Sequence, residues 1–163
     1  AGPLRGGKYS LFEAGTKVPF ITYWKGKIEP GVSDAMVTQI DLLSSLAALV
    51  GSQERGPDSE NLLETLLGKS EKGRVAVILE ATSRTALRAG DWAMIPPYPG
   101  PEVQKQVNIE LGNSTDYQLY NLKDDPGQTT NLATSNPEKL EEMKKIYQEI
   151  RGGESNVEAL ELK

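Results

Sequence analysis

In the stretch RGGKYSLFEAGTKVPFITYWKG, residues 5–26, Lys8 follows two glycines and stands shortly before the apolar run VPFITYW. By residue type alone such a lysine is a solvated surface charge, the default for its kind. The chemistry open to the rest of the chain is narrow, because the sequence holds no cysteine and no histidine. Those absences remove the thiolate nucleophile, the commonest general base and zinc ligand, and the Ser-His-Asp and Cys-His arrangements. They also leave redox compartment unreadable. Any catalysis must rest on Lys, Asp, Glu or Tyr. Glu13 reads as a residue that orders its turn by accepting backbone N–H groups, and Lys17 as a solvated or carboxylate-paired charge. Asp124 and Asp125 lack the alternating oxygen ligands of a calcium loop and read as turn residues before Pro126.

The elements that must position these residues come from an ordinary globular composition. The 163 residues are 37% hydrophobic and 25% charged, enough for one domain or two small ones. A net charge of −5 gives no basic footprint for nucleic acid. No apolar run approaches the roughly 18 residues that span a bilayer, and the first residues lack a signal pattern. Neither a nucleic-acid nor a membrane partner is expected. The chain opens AGPLRGGK without an initiator methionine, which reads as a fragment beginning in mid-loop.

Residues 18–24 are apolar on both alternating faces and predict a strand buried on both sides, inside an α/β sheet; Trp24, like Trp92, reads as core. Asp41 predicts an N-cap for a helix over 42–50 that stops at Gly51, and 60–67 a short helix stopped by Gly68. The polar segment 68–73 is the best candidate boundary. Beyond it the period changes: 75–79 is a strand, and 85–88 and 92–95 form a hairpin about Gly90. Residues 102–115 read as loop with some strand, and 117–122 as a short strand. Asn136-Pro137 opens a helix to Arg151 whose stripe is Leu140, Met143, Ile146, Tyr147 and Ile150, with Glu141 and Lys145 an i,i+4 pair.

Three separated segments then converge. PLRGGKYSLFEAGTKVPFITYWKGKIEPG resembles the LRGGKgt.yEGG.rvPfi..WPGki.pG segment of the type I, formylglycine-dependent sulfatases or arylsulfatases. IDLLSSLAALVG is similar to their iDl.PTLleLaG helix. ALRAGDWAMI and YQLYNLKDDPGQTTNLATSNPEKLEEM resemble their closing hairpin and LYdL..DPgEttNLa..pe signature. The departures are Ala14 for a second glycine, Lys17 for arginine, Lys25 for proline and Ala93 for lysine. The resemblance covers nearly the whole chain in order and implies the C-terminal portion of an α/β, alkaline-phosphatase-like fold. Within it, 1–74 would be the last part of the catalytic domain, at the edge of the large mixed sheet. Residues 75–151 would be an α+β subdomain with an antiparallel sheet and a packing helix, and 152–163 a tail.

The resemblance also implies that Lys8 is the catalytic and substrate-binding residue, reaching the sulfate group, with Gly6, Gly7 and Glu13 supporting its loop. A fixed ammonium suits a reaction that builds charge on sulfuryl and leaving oxygens. Members of the family use a formylglycine from a C/S-x-P-x-R motif, histidines, a further lysine and Asp/Asn calcium ligands. This chain lacks the motif, the histidines and a clustered ligand set. The parent enzyme is therefore expected to hydrolyse sulfate esters of small molecules or glycans with Ca²⁺. The chain alone is expected to be inactive, to bind no metal, and either to self-associate through its uncovered apolar faces or to repack residues 1–74. A standalone non-catalytic binding or assembly module and a phosphoesterase of the same superfamily are the alternatives. Family members are often periplasmic, secreted or lysosomal; nothing in this stretch fixes a localisation.

Overall fold

In the computed structural model residues 2–152 are described, so the tail expected over 152–163 lies outside them beyond Gly152. The chain divides into two compact units: Ala1–Val18 together with Ala76–Lys163, and Pro19–Val75 between them. The sequence reading places all of 1–74 together, whereas the first 18 residues pack with the later part of the chain.

In the first of these units β1 (Ala76–Ala81), β2 (Arg84–Ala89) and β3 (Trp92–Ile95) form an antiparallel meander. β6 (Gln118–Asn121) adds antiparallel beside β3, giving the order β1-β2-β3-β6. The β2–β3 turn is the one the sequence predicts: Ala89 pairs with Trp92, and Gly90 takes φ +52, as the first corner of a II′ turn requires. A minor pair, β4 (Val103–Gln104) and β5 (Ile109–Glu110), occupies the stretch that reads as mostly loop.

Alternation along the strands sends side chains to two faces, and both faces are covered. On one, Leu87, Ala89, Met94 and Leu119 meet Met143 from α3 (Pro137–Arg151). Leu140, Ile146 and Tyr147 extend that contact, while Ile150, the last residue of the predicted stripe, is exposed. α3 begins with Pro137 at its first turn and ends at Gly152 in the left-handed region, the asymmetry that starts and stops helices. Glu141 pairs with Lys144 at 2.6 Å rather than with Lys145. On the opposite face, Ala86, Ala93, Ile95, Tyr120 and Leu122 pack against Leu11 and Phe12, and the Phe12 and Tyr120 rings meet edge to face at 6.0 Å. Burying a side chain the size of Phe12 contributes about 1.5–3 kcal/mol, so the loop that carries Lys8 is seated on the sheet.

Within Pro19–Val75, the predicted buried strand over 18–24 does not form. The segment has no strand pairing, and Ile21 and Tyr23 are more than four-fifths exposed, with Trp24 at 45%. A strand needs hydrogen-bonded neighbours, and the described residues offer this segment none; Trp24 is consequently not core. α1 (Asp41–Leu49) and α2 (Leu63–Leu66) appear close to where the sequence predicts helices. Ile40 rather than Asp41 is the N-cap of α1. Asp41 is instead buried, its carboxylate accepting hydrogen bonds from the Thr38 N–H and hydroxyl, the Glu60 N–H and the Arg74 guanidinium. Burial alone would push its carboxyl up; Arg74 and these N–H groups outweigh that and hold it below the ordinary range. α1 also buries Ser44 and Ser45 while exposing Leu43, Leu46 and Leu49, an inversion of the usual arrangement.

Candidate functional site

The loop over residues 5–15 is built as a clamp around one corner. The Gly7 carbonyl accepts the Ser10 N–H at 2.9 Å, which closes a four-residue turn with Lys8 and Tyr9 as its two corners. Ser10 is fully buried and its Oγ accepts the Phe12 N–H at 3.2 Å, so the turn joins directly to the residue that anchors it in the core. Lys8 and Tyr9 are both exposed, with the Lys8 ammonium 5.1 Å from the centre of the Tyr9 ring. Among the described residues no carboxylate pairs with Lys8 within 4.0 Å. Tyr9 holds φ +79, a left-handed conformation that costs a residue other than glycine roughly 1–2 kcal/mol.

Arg5 fastens the loop from outside. Its Nε and Nη2 donate to the two carboxylate oxygens of Glu110, each at 2.8 Å, and its Nη1 donates to the Gln128 carbonyl at 2.8 Å. The guanidinium lies 4.1 Å over the Phe12 ring, and the Arg5 carbonyl accepts the Ala14 N–H. The hydrogen bond to Glu110 holds the Arg5 guanidinium above its usual range, and the same bond holds the Glu110 carboxyl below its own. Gln128 is 1% exposed and its Oε1 accepts the Glu13 N–H at 2.7 Å. One buried amide side chain and one guanidinium thus tie the loop to the far end of the chain.

The site residues read from the sequence fall as follows. Lys8 is at the corner. Gly6 has φ +83, and a Cβ there would lie 2.3 Å from Ser10 Oγ, so only glycine fits. Gly7 is less constrained: a Cβ would meet the end of the Ile109 side chain at 3.2 Å. Glu13 lies in a short 3-10 turn, Glu13–Gly15. It orders the loop through its backbone, with N–H to Gln128 and its carbonyl accepting the Thr16 and Lys17 N–H groups, rather than through carboxylate-to-backbone bonds. Lys17 is exposed. Asp125 accepts the Thr129 and Thr130 N–H groups, and Asp124 accepts the Asn121 side-chain amide, as turn residues do. Sequence reasoning missed Arg5, Tyr9, Glu110 and Gln128. The only local signals were Arg5 at the head of the glycine turn and Gln128 following Asp-Pro-Gly, where it takes φ +51.

Chemically, the corner offers an exposed cation beside an exposed aromatic face, which suits an oxyanion carried on a ring. Among the described residues, no group of three or more His, Cys, Asp or Glu side chains is placed to hold a metal ion.

The sulfatase family model matches residues 1–52. An N-acetylgalactosamine-6-O-sulfatase of Bacteroides thetaiotaomicron is 38% identical over 154 residues, which cover 92% of this chain and 30% of that protein. Human arylsulfatase A is 28% identical, covering 90% of this chain and 32% of its own length. A solved structure from work on glycosaminoglycan metabolism by the same Bacteroides superposes with a TM-score of 0.87 at 37% identity, over 93% of this chain and 32% of that one. A Pseudoalteromonas sulfatase, at 23% identity and TM-score 0.71, shares the fold. The chain therefore spans about a third of the length of the curated relatives it matches.

Proposed function

The chain belongs to the sulfatase family, with the alkaline-phosphatase-like fold of its C-terminal part, and from that premise we propose that it serves an enzyme hydrolysing sulfate esters, with Lys8 holding the sulfate group. The observation that carries the reading is the exposed ammonium at the corner of a turn whose stems are locked by Ser10, Arg5 and Gln128. In the reaction a sulfur–oxygen bond of the ester breaks and water supplies the replacing oxygen, giving sulfate and an alcohol. Negative charge grows on the sulfuryl and bridging oxygens, and an ammonium already in place stabilises it without reorganising. The Bacteroides relative's name, N-acetylgalactosamine-6-O-sulfatase, supports a sulfated sugar as substrate.

The nucleophile has to come from elsewhere. The sequence has no cysteine and no C/S-x-P-x-R motif, so a formylglycine would stand outside it, and this chain alone is inactive in our reading. Among the described residues no group of three or more His, Cys, Asp or Glu side chains is placed to hold the calcium ion that the resemblance implies. We read the exposed Leu43, Leu46 and Leu49 of α1, with Ile21 and Tyr23, as surface that packs against the rest of a longer polypeptide.

The test uses the polypeptide that contains this sequence, assayed on N-acetylgalactosamine 6-sulfate and on the corresponding phosphate. Sulfate hydrolysis is expected to dominate, and Lys8→Ala to lower kcat/KM by about 10²- to 10³-fold with Tm unchanged. Wild-type activity in Lys8→Ala, or preference for the phosphate, would overturn the reading.

A further inference from the structure

The corner that carries Lys8 also carries a residue its backbone disfavours. The bond from the Ser10 N–H to the Gly7 carbonyl makes Tyr9 the third residue of the turn, and a positive φ at that position is ordinarily left to glycine. Tyr9 nevertheless sits at φ +79 with 45% of its surface exposed. Burial therefore does not account for it. The Lys8 ammonium lies 5.1 Å from the ring centre, and an exposed cation–π contact is weaker than the strain it would have to offset. Backbone strain of this kind that local packing does not explain is a pointer to function.

We infer that Tyr9 is a specificity-determining residue of the sulfate-ester site, its ring forming the platform for the pyranose that bears the sulfate while Lys8 holds the sulfate itself. The inference rests on the function proposed above and names the part of the substrate that the same corner would select. A pyranose presents an apolar C–H face to a flat aromatic ring, and tyrosine supplies a large rigid surface with only two side-chain torsions to fix. Lys8 and Tyr9 are successive corners of one turn, so their backbones keep a fixed separation and the ammonium stays within reach of a group seated on the ring. Fully buried Ser10 and the Phe12 anchor keep the corner from swinging away. A glycine in place of Tyr9 would relax the turn and leave Lys8 where it is.

The polypeptide containing this sequence, prepared as wild type, Tyr9→Gly, Tyr9→Phe and Lys8→Ala, separates these roles on N-acetylgalactosamine 6-sulfate and 4-nitrophenyl sulfate. Tyr9→Gly is expected to raise KM for the sugar sulfate about three- to tenfold, with kcat within about twofold, and to raise Tm because the corner is no longer strained. Tyr9→Phe should keep the wild-type KM. An unchanged KM for the sugar sulfate in Tyr9→Gly overturns the inference, as does a KM rise confined to the aryl ester. A fall in kcat at unchanged KM also overturns it, by making Tyr9 a support for Lys8 only. If Lys8→Ala loses activity while Tyr9→Gly behaves as wild type, the platform fails and the function stands. If Lys8→Ala is fully active, or wild type hydrolyses neither ester, both fall.

Discussion

Arg5→Ala is the perturbation that most directly tests how the loop is held. The Arg5–Glu110 pair is partly exposed, with side-chain accessibilities of 30% and 47%, so the ion pair contributes no more than about 0.5–1 kcal/mol. The bond from Nη1 to the Gln128 carbonyl is part-buried and charge-assisted, worth about 1.5–3 kcal/mol. The guanidinium over Phe12 adds about 0.5–1 kcal/mol. These contributions overlap, and about 2–4 kcal/mol of loop order should be lost in Arg5→Ala. Read by hydrogen exchange, the amides of Ser10, Phe12, Glu13 and Ala14 should then exchange tens to several hundred times faster, about a decade per 1.4 kcal/mol. Arg5→Lys keeps the charge and loses the fork, so its effect should be intermediate. Glu110→Gln removes only the exposed partner and should cost about 0.5–1 kcal/mol. On the function proposed above, kcat/KM of the polypeptide containing this sequence should fall in the same order. Unchanged protection in Arg5→Ala would refute the reasoning, because the loop would then be held by Leu11 and Phe12 alone; equal damage from Glu110→Gln would refute it too, because the exposed ion pair and not the bond to the Gln128 carbonyl would then carry the hold.

Gly6→Ala meets both a left-handed backbone and a Cβ 2.3 Å from Ser10 Oγ, so it should destabilise by at least 2 kcal/mol, roughly a strained φ plus an overpacked contact, whereas Gly7→Ala should cost less than half as much; paired denaturant titrations compare them. Asp41→Asn leaves the Arg74 guanidinium, whose side chain is 10% exposed, with the half-exposed Glu60 at 3.4 Å as its counter-charge, and should lower the stability of the Pro19–Val75 unit by about 2–3 kcal/mol, read from exchange at the Ser44 and Leu62 amides. The same pair sets an acid dependence. The Asp41 carboxyl is held below its ordinary 3.8 in the folded protein, so its contribution is whole above that value and is lost as pH falls through the depressed one. An acid titration of wild type should show that loss and Asp41→Asn should not.

Local sequence was enough for the hairpin at Gly90, the span of α3 and the helix stop at Gly51, since each is set by a few adjacent residues: a glycine free to adopt positive φ, a proline at a first turn, a stripe at helical spacing. The ordered motifs likewise made the family legible. Other features depended on partners far along the chain. The β1–β2 turn falls on Thr82 and Ser83, both at positive φ, because the pairing of Ala81 with Arg84 forces it where composition gives no turn signal. Asp41 reads as a helix cap and becomes the buried partner of Arg74, because burial of a charge demands a counter-charge that the sequence does not place nearby. Residues 18–24 carry a strand's composition but no strand, since pairing belongs to a sheet and not to a segment. Arg5, Glu110 and Gln128 meet across more than a hundred residues, and only packing of the 5–15 loop on the antiparallel sheet brings them together. The sequence by itself thus determined the local turns and helix ends, and tertiary structure decided what anchors the loop that carries Lys8, because local rules act through the backbone's own torsions whereas a clamp needs groups that only folding makes neighbours.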